Sequence, residues 1–470
     1  MMVLLLILIP LLGGLLSFFI KNEGGAKGLS LLVSLATLAV AVMACCAPAT
    51  QLNFTAEWLP DLGSSFTLAA DGMALMLCLL TAIAFPVIFI ATAKNTYAKP
   101  NNFYGWMLLS MAGLTGVFLA ADALLFYFFW ELALIPAYFL CSGWGGEKRI
   151  AVTFKFFVYT FLGSLFMLIG IIYIYFKTGQ SFSIASFYNA GLSVAEQSWL
   201  FWLFFIAFAI KMPVFPFHTW QPDTYEQSPT AVTMVLSGVM VKMGVYAVIR
   251  WLVPVFPVAV LEYSNIIIIV SIIGMLYASL IAIKQNDMKR LIAYSSIAHI
   301  GLMCATIFTK NDTGLQGVMV QMFNHGIVVI GLWVVADAIE QKMGTRKFSE
   351  LGGLAQKAPW LAVFFVIMCF ANIALPLTNA FVGEFLMFNG LFAYNPWLAG
   401  IAGISIILAA VYTLLMVQKI FYGNTDAATA NATDASGNVL FALLVLAVLI
   451  IVLGVYPQPL INLTAIVTGK

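Results

Sequence analysis

The chain has 470 residues, 63% of them hydrophobic and only 9% charged, with a formal net charge of +2. So few polar residues cannot coat a water-soluble globule, and apolar runs of about 20 residues, each long enough to cross ~30 Å of hydrocarbon, recur from end to end. The composition excludes a soluble enzyme, gives no reason to expect nucleic acid as a partner, and predicts an all-α polytopic membrane protein.

About fourteen transmembrane helices are predicted, at roughly 2–20, 28–47, 67–91, 103–120, 123–142, 151–176, 198–217, 229–251, 264–283, 290–308, 316–338, 359–394, 398–420 and 437–456. The first lacks a basic start and is followed by Lys21 and Lys27, the reverse of a cleaved signal peptide, so it reads as a retained helix. Residues 51–66 suit a short external hairpin or loop. The twelfth run is too long for one straight span, and Pro376, between Asn372 and Asn379, predicts a break there. Residues 346–357 (RKFSELGGLAQK) read as a surface helix and 424–438 as a flexible cytoplasmic loop.

Counting basic residues fixes an orientation. Fourteen fall in loops after odd-numbered helices, four on the opposite side and three within spans. The positive-inside rule then puts both termini on the non-cytoplasmic side. Trp106, Trp144, Trp251, Trp360 and Trp397, near span ends, suit interfacial belts.

The stretch FFIAFAIKMPVFPFHTW (204–220, helix seven) is echoed by FFVIMCFANIALPLTNAF (364–381, helix twelve), with Pro216 opposite Pro376. An offset of five helices is what a five-helix unit repeated with inverted topology would give, and broken helices at matching positions point to sites near mid-membrane. The chain divides accordingly into an N-terminal three-helix segment (1–100), two repeats (101–252 and 253–421), and a loop with a last helix (422–470).

Glu131, Lys211 and Lys242 stand inside apolar runs. Each unpaired charge at the bilayer centre costs roughly 3 kcal/mol on the insertion scale, on the order of 9 for the three together, comparable to the stability of a whole domain. They must be paired, hydrated or used. A pairing of Glu131 with Lys211 would make a switchable couple. Lys242 is about nine residues from the nearer helix end, too deep to snorkel. His299 and His325 lie in consecutive spans with Tyr294, Ser295, Ser296, Gln321 and Asn324 nearby, a polar seam able to relay protons or simply to bridge helices. Glu384 follows the break in helix twelve as a second deep carboxylate. Lys155 could relay or snorkel, and Asp223 and Glu226 read as loop structure. The six cysteines form no CxxC pair, and no GxGxxG or Walker motif is present, so no redox centre, nucleotide or metal is expected on this chain.

The ordered motifs KMPVFPFHTWQPDTYEQSPT (211–230), LSGVMVKMGVYAVIRW (236–251), KRLIAYSSIAHIG (289–301), QMFNHG (321–326) and FVGEF (381–385) resemble the antiporter-like membrane subunits of respiratory complex I, over residues 60–420. The resemblance implies fourteen helices with two inverted five-helix repeats and helices seven and twelve broken. It implies that Glu131 and Lys211 form a coupling pair, that Lys242, His299 and His325 carry a central relay, and that Glu384 is the terminal acceptor. The implied function is proton translocation coupled to NADH:quinone electron transfer in a bacterial inner membrane. FMN, iron–sulfur clusters and quinone would lie on partner subunits, with antiporter-like neighbours on both flanks and lipid around. Sister subunits and multi-subunit sodium/proton antiporters typically carry lysine where Glu384 stands, and no long lateral helix follows helix fourteen. The sequence departs from the family at Tyr225, where histidine is usual, and at Gln227, where glutamate is usual. A sodium/proton antiporter subunit and a non-conducting structural spacer are the alternative readings.

Overall fold

The computed structural model describes residues 1–425, 428–430 and 432–468, and helices occupy every predicted apolar segment. Among the described residues twelve helices are long and apolar enough to cross a membrane. Met2–Ser17 and Pro359–Asn372 are shorter apolar helices, so length alone supports twelve crossings rather than fourteen. Polar residues just before the apolar runs start many of the helices. Asn22, Asp71, Asp122, Ser193, Asp287 and Asn311 each accept a hydrogen bond from a first-turn backbone N–H, and Ser193 with Glu196 forms a reciprocal capping box.

Helix eight (Thr230–Val255) and helix eleven (Asp312–Met343) form the centre, and their most apolar stretches are wholly buried by protein. Glycines bring them together: a Cβ on Gly326 would stand 2.8 Å from the Gly238 carbonyl oxygen, and one on Gly238 would stand 2.7 Å from Ile330 Cγ1. In lipid, where no hydrophobic force separates helix from tail, such close backbone approach drives association. Helix eight carries π-turns at Leu236–Met240 and Val248–Leu252, on either side of Lys242–Ala247. Such turns widen the backbone and recur at functional positions.

Both predicted breaks are present. Helix seven runs Val194–Lys211, and regular helix resumes only at Gln221–Gln227, beyond Pro213 and Pro216. Trp220 Nε1 donates to the freed Ile210 carbonyl at 3.0 Å. Helix twelve is Pro359–Asn372 and Asn379–Tyr394. Between its halves Ala374 (φ 53°) and Leu377 (φ 75°) adopt the left-handed region, at a cost of about 1 kcal/mol or more each for residues with a side chain. The glycine this break lacks is supplied from helix fourteen (Gly437–Val455). A Cβ on Gly454 would stand 2.2 Å from the Leu377 carbonyl oxygen.

The expected external hairpin pairs Asn53–Leu59 with Ser64–Ala69. Asp122 fixes it to helix five (Ala123–Trp144), accepting from Ser64 Oγ (2.9 Å) and Ser65 N (3.2 Å) while capping that helix. The surface helix expected at 346–357 is absent. That segment forms two 3₁₀ turns, Phe348–Glu350 and Leu354–Gln356, interrupted by Gly352 and by Gly353 at φ 63°, and it buries Phe348, Leu351 and Leu354 against the protein. Of the loop expected at 424–438, Asp426, Ala427 and Asn431 lie outside the described residues. In the rest, Asp434 accepts from Trp360 N (2.8 Å) and Leu361 N (3.0 Å), capping helix twelve. Trp360 and Trp397 are exposed as an interfacial belt requires, whereas Trp251 is buried against Phe126 and Phe187.

Candidate functional site

Helix five places Glu131 half-buried beside an open groove of about 340 Å³ that Trp58, Tyr127 and Phe128 also line. Lys211 is the last residue of helix seven, where the unpaired carbonyls of a helix end favour a cation. Its ammonium lies 5.4 Å from the Trp130 ring centroid, a cation–π contact. The two do not touch. Glu131 Oε1 and Lys211 Nζ each lack a hydrogen-bonding protein partner, and no ion pair within 4 Å joins them among the described residues. The structure therefore holds the couple open.

Lys242 is fully buried between helices eight and eleven. Its Nζ donates to the Ser237 carbonyl, which the π-turn leaves accessible, at 2.6 Å, and lies 2.8 Å from His325 Nδ1. A histidine accepting through Nδ1 carries its own proton on Nε2. The His325 and His299 ring centroids are 5.5 Å apart, with no hydrogen bond between them, so ring rotation or one bridging water must complete that step.

His299, on helix ten (Met288–Ile307), lies among acceptors. Its Nδ1 is 2.8 Å from the Ser295 carbonyl oxygen. Its Nε2 is 3.1 Å from the Asn372 carbonyl oxygen and 3.4 Å from Glu384 Oε1. Two acceptor-facing nitrogens suit a ring carrying a proton on each. Glu384, on the second half of helix twelve, is also met by Gln321 Nε2 at 3.4 Å. Gly383 makes room for that amide, since a Cβ there would stand 2.4 Å from Gln321 Oε1.

Four of the six expected residues thus form one row, Lys242–His325–His299–Glu384, with both halves of broken helix twelve reaching its far end. Glu131 and Lys211 stand apart from it at the first break. The seam contains two groups the sequence did not single out: Tyr412 OH, 3.0 Å from Ser295 Oγ, and Thr413 Oγ1, which accepts from Asn372 Nδ2 at 3.1 Å. Single hydroxyls in an apolar span carry no distinguishing signal. Tyr294 lies off the row.

Around one mouth of the bundle, charged side chains join the two halves. Lys155 Nζ pairs with Asp223 at 2.9 Å, and Arg290 reaches both Asp223 (3.1 Å) and Glu226 (2.8 Å). Burial pushes the Asp223 carboxyl up, but hydrogen bonds from Lys155 and Arg290 outweigh it and hold the group below its ordinary value. Lys155 therefore ties the segment beyond the break of helix seven to helix six, and Arg290 ties the same segment to helix ten. Among the described residues no group of three or more His, Cys, Asp or Glu side chains could hold a metal ion.

Broken helices converging on buried ionisable groups are the architecture of an ion-moving membrane subunit, and residues 120–410 match the family described as "NADH:quinone oxidoreductase/Mrp antiporter, TM", to which the chain belongs. Within it, the chain is 37% identical to NADH-quinone oxidoreductase subunit M of Rickettsia prowazekii, over 86% of this chain and 83% of that one. It is 34% identical to subunit M of Escherichia coli K12, over 97% and 95%. It also superposes on a chain of respiratory complex I from Thermus thermophilus with bound NADH, with a TM-score of 0.91 and 28% identity, covering 100% of this chain and 99% of that one.

Proposed function

We propose that this chain is the proton-translocating, antiporter-like subunit M of the membrane arm of an NADH–quinone oxidoreductase. The observation that carries the reading is the buried row Lys242–His325–His299–Glu384, which starts between helices eight and eleven, both enclosed by protein. Such a row is too costly to bury as packing alone. Glu131 and Lys211 act as the control. When the couple closes, the ammonium is held; when it opens, as here, the charge is free to repel a proton on Lys242. The His299 Nε2 proton passes first to the Glu384 carboxylate, which frees that nitrogen; by ring rotation or through one water it then takes the His325 Nε2 proton, as Lys242 gives its proton to His325 Nδ1. Redox cofactors belong to partner subunits, and this chain supplies only side chains that hold and move protons. The basic-rich face is cytoplasmic, both termini lie on the other side of a bacterial inner membrane, and the units 101–252 and 253–421 act as inverted halves with antiporter-like neighbours on either flank.

Purification of the native assembly tests this reading. Flavin and iron–sulfur subunits should co-purify, with NADH:quinone activity. A complex holding only antiporter-type membrane subunits, with no NADH oxidation, would instead identify a sodium/proton antiporter.

A further inference from the structure

An open cavity of about 550 Å³ lies at the basic-rich mouth, lined by the segments after helices three, five and seven, the start of helix ten and the end of helix eleven, including Trp144, Lys289 and Arg346. Most of the acids around it have basic partners. Glu340 is paired with Lys289 at 2.7 Å and Arg346 at 2.7 Å, and Glu226 with Arg290 at 2.8 Å. Asp337 is the exception. It lines the cavity yet is only 6% exposed, and it accepts a hydrogen bond from Asn95 Nδ2 at 3.0 Å, with the Thr230 hydroxyl also directed at it. Among the described residues no cation lies within 4 Å of it. A carboxylate left without a counter-charge at this depth is costly as packing, and it is suited to taking up a proton from the water of the cavity.

Thr230 lies beside Asp337 and begins a file of hydroxyls on helix eight. Thr233 and Ser237 follow at intervals of about one turn, both fully buried, and Lys242 ends the file. Ser237 Oγ donates to the Thr233 carbonyl at 2.8 Å, and Lys242 Nζ reaches back to the Ser237 carbonyl at 2.6 Å. Each hydroxyl thus keeps free lone pairs, and the file runs from the cavity to the first residue of the buried row.

We infer that Asp337 is the proton-uptake port of the chain, collecting protons in the basic-rich mouth and delivering them along Thr230, Thr233 and Ser237 to Lys242. The assignment rests on the relay reading above. The charged and titratable groups facing Asp337 are Lys289 on helix ten, Tyr97 in the loop after helix three, and Glu340 and Arg346 beyond it on its own side.

The test uses the complete complex in inside-out membrane vesicles, reading NADH-driven acidification per NADH oxidised as the pH on the uptake face is raised. Asp337→Asn should pump near normally in acid and lose on the order of tenfold on the alkaline side. That is less than the ~10²–10⁴ of a positioned proton-transfer group, because cavity water substitutes in part. Asp337→Glu should restore the profile. A purely structural role would lower assembly equally at every pH. If Asp337→Asn does not assemble, Thr230→Val takes its place, with the same alkaline loss expected. A wild-type pH profile in whichever variant assembles overturns the port. Lys242→Ala separates the two claims: normal pumping there defeats the relay reading, whereas lost pumping there with an unshifted Asp337→Asn profile defeats the port alone.

Discussion

His299 Nε2 and Glu384 Oε1 stand 3.4 Å apart across the break in helix twelve, while the other ring nitrogen of His299 lies 2.8 Å from the Ser295 carbonyl oxygen. A ring pinned on both sides by acceptors hands a proton outward only if the carboxylate can take it. Glu384→Gln removes that acceptor and keeps the shape. Proton translocation through this chain should fall by about a hundredfold or more, with assembly and NADH oxidation by an artificial acceptor retained. Fluorescence quenching of a pH-sensitive dye in vesicles reads this directly, and undiminished quenching would remove Glu384 from the row.

Glu131 and Lys211 lie within electrostatic reach of each other, but among the described residues they form no ion pair within 4 Å. An open couple must be able to close, and closing at about 4 Å in an effective dielectric of 20 is worth ~4 kcal/mol. Glu131→Gln should therefore nearly abolish pumping while leaving the subunit in the complex, and Glu131→Asp should retain part of it. Unchanged pumping in Glu131→Gln would show that the couple has no controlling role.

The contact between helices eight and eleven depends on having no side chain at Gly326, where a Cβ would stand 2.8 Å from the Gly238 carbonyl oxygen and 2.8 Å from Leu80 Cδ1. Gly326→Val should overpack this seam by about 1–3 kcal/mol and displace His325 from Lys242. A lower thermal midpoint of the purified complex, together with lost pumping, is the expected result. Wild-type stability would mean that the helices separate freely.

At the mouth, Asp223 titrates below its ordinary range in the folded protein because Lys155 and Arg290 hydrogen-bond to its carboxylate. A depressed folded value contributes stability that is fully present above the unfolded value, near pH 4, and lost as pH falls through the folded one. Asp223→Asn should thus lower the thermal midpoint at neutral pH, and the gap from wild type should close on acidification. A gap that does not change with pH would assign the loss to packing.

Much of this site could be read from the sequence because a charge in an apolar run stands out. Glu131, Lys211, Lys242 and Glu384 are visible for that reason, and Pro216 and Pro376 mark the two breaks. The relatives' names agree with the branch that Glu384 indicated. What the sequence could not carry is distance: nothing in it states that Lys242 meets His325 directly while Lys211, among the described residues, forms no ion pair. Asp337 escaped notice because it lies six residues before the end of its helix and reads like an ordinary end-of-span carboxylate. The surface helix at 346–357 failed because Gly352 and Gly353 turn a polar, helix-prone stretch back onto the protein, and composition alone cannot show the pocket that receives Leu354.

The most direct measurement is the number of protons moved per NADH oxidised by the whole complex carrying Lys242→Ala, in sealed vesicles, against wild type and with assembly verified. The relay predicts a reduced ratio, because the lysine that contacts His325 at 2.8 Å is the row's first proton carrier. A ratio equal to wild type would contradict it and leave the buried row as a spacer.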